Sequence, residues 1–95
     1  MGSFDVAVLC LVRACGPVSA RTLTLRRLGS RPHPERWQAE LWATRDALAR
    51  LLMAGLVERT EAAYYDVTEH GRDWLAAYWA LGQPGVVLGD ARDLR

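Results

Sequence analysis

The side chains best equipped for chemistry in this chain are its guanidinium groups. All 12 basic residues are arginine, with no lysine anywhere in the sequence. Arginine presents a planar, permanently charged fork that matches phosphate oxygens and the edge of guanine. Eight of them, Arg13, Arg21, Arg26, Arg27, Arg31, Arg36, Arg45 and Arg50, lie between residues 13 and 50. Only Glu35, Glu40 and Asp46 oppose them there, a balance of +5. Four arginines and eight acids make up the rest, a balance of −4, so the net charge of +1 conceals one basic segment. Such a segment offers a local positive field to an anion.

Other reactive groups do not assemble into a site. Cys10 and Cys15 are five residues apart, which on a helix points them in different directions, and no CxxC spacing occurs. His33 and His70 do not complete a metal set with them. The cysteines are expected to be small apolar core residues in a reducing compartment. His33 follows Pro32 in turn chemistry, and His70 stands at a helix start as a surface residue. No Ser/His/Asp set, phosphate loop or carboxylate pair can be built, so the expectation is a non-enzyme without cofactor or metal. The apolar stretch Phe4–Val12 is too short to span a membrane, contains Asp5 and lacks a basic leader and a cleavage site. A cytoplasmic location is expected.

The elements that must position the arginines read clearly. A chain of 95 residues, 51% hydrophobic and 24% charged, is one globular domain with a modest core. Ser3 is placed to cap a first helix through about Ala14, where Phe4, Val8, Leu11 and Val12 recur at helical spacing and Gly16-Pro17 stops the run. Ser19 precedes a second helix, Ala20–Leu28, with Leu23 and Leu28 inward and Arg21, Arg26 and Arg27 outward. Gly29 to Pro34 is a turn. A third helix runs over about Glu35–Ala54, its apolar stripe being Trp37, Leu41, Leu48, Leu51 and Leu52. Residues 56–61 and 64–68 read as two strands around a tight Ala62-Ala63 turn. Thr68 caps a fourth helix, about Glu69–Leu81, carrying Trp74, Leu75, Tyr78, Trp79 and Leu81, and Gln83-Pro84-Gly85 breaks it. Residues 1–82 form the domain. Residues 83–95 are a weakly patterned tail, either loose or a strand for a partner. The fold class expected is mainly α with a small β-hairpin: three helices, a two-stranded wing and a closing helix, the order of a winged helix-turn-helix.

Two stretches carry a resemblance. Ala47-Leu48-Ala49-Arg50-Leu51-Leu52-Met53-Ala54-Gly55-Leu56-Val57, followed by Tyr64-Tyr65-Asp66-Val67-Thr68-Glu69-His70-Gly71-Arg72-Asp73-Trp74-Leu75, resembles winged-helix transcriptional regulators of the PadR type and, more loosely, of the MarR type. Val8-Leu9 through Cys15-Gly16-Pro17-Val18 is similar to their first helix and turn, and the likeness spans about residues 6–80. Gly55 fits a left-handed helix exit, Thr68 a helix cap, and Gly71 a close approach between elements. Arg45 stands where PadR-type chains usually carry tyrosine.

The resemblance implies a sequence-specific double-stranded DNA-binding regulator whose third helix enters the major groove, acting as a homodimer. Arg36, Gln38, Trp42, Thr44, Arg45 and Arg50 would then face or flank the bases, with Arg45 suited to guanine and Gln38 to adenine. Arg21, Arg26, Arg27 and Arg31 would hold phosphates, and Arg59 on the wing would reach the backbone or the minor groove. Trp37 and Trp74 point to the core, whereas Trp42 and Trp79 suit either a subunit interface or core packing. The competing reading is a protein-binding module, an adaptor, inhibitor or subunit of a larger assembly, contacting its partner through the last helix or the tail. The near-neutral total charge and the acidic hairpin residues Glu58, Glu61, Asp66, Glu69 and Asp73 favour that reading.

Overall fold

The computed structural model describes residues 2–30 and 33–81. Its first helix, α1 (Ser3–Cys15), buries Asp5, Val6, Val8, Leu9 and Val12 on one stripe. Ser3 does not cap it. The amide of Val6 donates to the Gly2 carbonyl at 3.2 Å, so the helix begins one residue earlier than expected and Ser3 already lies in its first turn. Ser19 does cap α2 (Ala20–Leu28), its hydroxyl accepting from the Thr22 amide at 3.2 Å. Leu23 is buried there and Leu28 half-buried.

The long helix α3 (Pro34–Met53) opens with proline, whose missing N–H costs nothing at that position. His33 is its cap, the imidazole Nδ1 accepting from the Glu35 amide at 3.4 Å. At the other end the Leu56 amide donates to the Leu51 carbonyl and the Gly55 amide to that of Leu52, each at 3.0 Å. This paired closure requires a left-handed residue just past the helix, and Gly55 supplies it with φ of 78°. It also brings Leu56 onto Leu51, both fully buried. The apolar stripe stops at Leu51, and Leu52 is 37% exposed instead of belonging to the core.

The hairpin is shorter than the sequence suggested. Strand β2 covers Val57–Arg59 and β3 covers Tyr64–Val67, with a 3-10 turn over Glu61–Ala63 between them. A two-residue turn of the kind expected at Ala62-Ala63 needs positive φ that glycine or asparagine provides most easily. The chain instead uses a longer loop with one left-handed residue, Ala63, at φ 62°. A third strand, β1 (Val18–Ser19), pairs with β3 through Val18↔Tyr65 and Ser19↔Tyr64. The described elements are thus four helices and one antiparallel sheet of order β1-β3-β2.

The closing helix α4 (Glu69–Ala80) is seated by two small residues. Thr68 accepts from the Gly71 amide at 2.9 Å and donates to the Gly55 carbonyl at 2.7 Å, joining the exit of α3 to the start of α4. Gly71 touches down so closely that a Cβ there would stand 2.1 Å from the Leu56 carbonyl oxygen and 2.8 Å from Val67 Cγ2. The core lies between α1, α2 and α3 and the inner face of the sheet, where Val18, Val57 and Val67 meet Leu9, Leu23, Leu48 and Leu51; Leu75 adds α4. Burying this apolar surface supplies most of the folding free energy. Cys10 and Cys15 are free thiols, half-buried against the core rather than within it. Among the described residues no helix is long and apolar enough to cross a membrane.

Candidate nucleic-acid interface

Position along α3 decides which side chains are available. Trp37, Leu41, Thr44, Ala47, Leu48 and Leu51 line its buried side, and Gln38, Trp42 and Arg45 stand exposed on the other. Thr44 therefore does not face outward as expected. It is 1% exposed, its hydroxyl donates to the Glu40 carbonyl at 3.0 Å, and it lies 2.9 Å from the hydroxyl of Thr24 on α2. It pins the two helices together and has no route to a partner.

Three of the expected contact arginines are engaged within the chain. Arg27, four-fifths buried and lying over the Phe4 ring, is bonded to Glu40, and Arg36 approaches the same carboxylate at 3.6 Å. The hydrogen bond from Arg27, aided by the charges of Arg27 and Arg36 and opposed by burial, holds the Glu40 carboxyl below the usual carboxylate range. Arg50 grips the buried Asp5 of α1 with two hydrogen bonds, Nε to Oδ2 at 2.9 Å and Nη2 to Oδ1 at 2.8 Å. Those bonds favour its charged form and push its pKa further up. The basic segment is thus less cationic in space than in sequence. Arg31 lies outside the described residues.

Three of the others, Arg21, Arg45 and Arg59, approach Tyr65 from three elements. Arg21, in the first turn of α2, and Arg45, in the second half of α3, line one cleft together with Tyr65 of β3, Ser19, Ala20 and Ala63. Neither arginine is in an ion pair among the described residues. Arg59 pairs with Tyr65 in the strand register and lies over its ring, the guanidinium carbon 5.9 Å from the centroid. Side chains alternate along a strand, so the register pair Glu58↔Asp66 occupies the opposite face of the hairpin from Arg59 and Tyr65. Glu58 and Asp66 thus look away from the cleft. Arg26 is exposed on α2 and does not line it.

Tyr65 and the short strand β1 had no part in the expected site. Tyr65 reads from the sequence as an apolar strand residue, and only the pairing of β3 with Val18 places it beside the start of α2. The thiol of Cys10 is pushed up by burial, against a hydrogen bond from Trp79 and the nearby charge of Arg13, which fits an unreactive packing residue. The most exposed large apolar side chains are Met53 at 91%, Leu81 at 68%, Trp42 at 62% and Trp79 at 50%. No protein-family model, curated protein or solved structure matches the chain.

Proposed function

We propose that this chain is a winged helix-turn-helix domain that binds double-stranded DNA sequence-specifically and regulates transcription as a homodimer. α2 and α3 form the helix pair, α3 enters the major groove, and the β2–β3 hairpin is the wing. The element order and the strand order β1-β3-β2 support this, together with the PadR-like pattern over residues 47–57 and 64–75. One observation carries it: Arg21 and Arg45 line one cleft with Tyr65, and Arg59 lies over the Tyr65 ring, with Glu58 and Asp66 on the far face of the hairpin.

On this reading Gln38, Trp42 and Arg45 meet base edges, and Arg21 and Arg59 meet phosphates. A bidentate arginine–guanine contact is worth about 1–3 kcal/mol of discrimination. Phosphate contacts set register and supply the salt-dependent part of the affinity. Arg36 and Arg26 are peripheral, and Arg27 and Arg50 hold the scaffold.

The test is binding to duplex DNA over a salt series, preceded by selection of bound fragments from random genomic DNA. Affinity is expected to fall steeply with salt, and Arg45→Ala to relax base preference more than Arg26→Ala does. A flat salt response, or no binding at low salt, would overturn the proposal. It would favour a protein-binding module, a reading that the exposed Trp42, Met53, Trp79 and Leu81 support.

A further inference from the structure

The cleft between α2, α3 and β3 has a chemistry that a plain backbone grip does not require. A duplex is convex and presents its phosphates in rows, which a ridge of arginines satisfies. This site is concave, with a volume of about 230 Å³. One water molecule occupies roughly 30 Å³ of the liquid, so the space is large enough for a polyatomic anion. Arg21 and Arg45 supply two guanidinium forks to its lining, Tyr65 supplies a phenol, and no carboxylate among the described residues lines it. Arg59 adds a third positive charge over the Tyr65 ring. A phosphate monoester carries about −1.5 to −2 charge at neutral pH and several strong acceptor oxygens, which two or three guanidinium groups balance.

We infer that this cleft is a binding site for a small phosphate-class oxyanion, inorganic phosphate or a phosphomonoester. Where the DNA-binding proposal holds, on which this second clause rests, the free anion and the duplex compete for Arg21, which would meet a backbone phosphate, and for Arg45, which would meet a base edge. Phosphate then weakens DNA binding beyond its effect on ionic strength.

The experiment titrates the full chain with inorganic phosphate at constant ionic strength, chloride being the balancing ion, and follows backbone amide NMR shifts. Saturable shifts are expected at Ser19–Arg21, Arg45 and Ala63–Tyr65. Arg21→Gln and Arg45→Gln each weaken binding about tenfold or more, and Arg26→Gln leaves it unchanged. Shifts that never saturate, that spread over every surface arginine, or that survive both substitutions overturn the site. Phosphate also stabilises any protein through its exclusion from the surface, so the thermal arm compares wild type with the Arg21→Gln/Arg45→Gln variant. Equal stabilisation of the two overturns the site as well.

Duplex binding in phosphate and in chloride at matched ionic strength separates the two proposals. Saturable phosphate binding without any duplex binding leaves the oxyanion site standing and removes the DNA reading. Cleft shifts induced by duplex but never by free phosphate remove the oxyanion site and keep the DNA reading. Duplex binding equal in the two salts removes the competition.

Discussion

Arg50, 56% exposed at its side chain, holds Asp5, 8% exposed, through two hydrogen bonds of 2.8 and 2.9 Å that tie α3 to α1 across 45 residues of sequence. A buried carboxylate without its partner is costly, because it loses water and gains nothing in exchange. Arg50→Ala is therefore expected to lower the urea midpoint of unfolding while changing DNA affinity little. Asp5→Leu/Arg50→Met is expected to regain part of the loss by replacing the pair with apolar contacts. A stable Arg50→Ala protein that has lost DNA binding would move Arg50 from the scaffold to the interface.

Arg27 and Arg21 sit on the same helix with opposite expectations. Arg27→Gln breaks the largely buried link to Glu40 and is expected to cost about 1 kcal/mol of stability with no change in the salt slope of DNA binding. Arg21→Gln is expected to leave stability within about 0.5 kcal/mol and to reduce that slope by about 1. Denaturant titration and salt-dependent binding on both variants check this, and a reversed pattern contradicts it.

The Glu40 carboxyl gives stability a defined pH dependence. Its folded pKa lies below the ordinary value of about 4.5, chiefly because Arg27 donates to it. A depressed carboxylate contributes stability that is fully present above the unfolded pKa and is lost as pH falls through the folded one. Glu40→Gln is expected to flatten the acid limb of the stability profile below about pH 4.5. Unfolding midpoints at a series of pH values would show this, and superimposable acid limbs would contradict it.

Gly71→Ala is expected to be among the most damaging small changes in the chain. The added Cβ would lie 2.1 Å from a backbone oxygen of Leu56, which cannot yield as a flexible side chain does. Overpacking of this kind costs about 1–3 kcal/mol, and the upper end applies where backbone must move. Thermal unfolding reads it directly. A neutral Gly71→Ala would mean that α4 sits farther from the hairpin than 2.1 Å implies.

Thr44→Val removes a buried hydroxyl that bridges α2 and α3 and is expected to cost about 1 kcal/mol, without altering base preference. A changed preference in a folded Thr44→Val protein would restore the outward placement first read from the sequence.

Much of the architecture was legible because its signals are local. Helical spacing in α1 and α3, the serine and threonine ahead of α2 and α4, and the left-handed Gly55 are all written within a few adjacent residues. The placement of Thr44 was legible too. It falls three residues after Leu41 and four before Leu48, inside the buried stripe, and polarity alone had turned it outward. Strand β1 was not legible, since two residues carry no alternation and its partner lies more than 40 positions away.

What residues 1–95 determined unaided was the inventory: where helices start and stop, which faces are apolar, and that guanidinium groups crowd the first half. What only packing decided was which of those charges remain available. An ion pair such as Arg50–Asp5 or Arg27–Glu40 depends on distances between helices, which no local pattern encodes. By joining β1 to β3, the fold brought Tyr65 into one cleft with Arg21 and Arg45, residues that lie 20 to 44 positions apart in sequence.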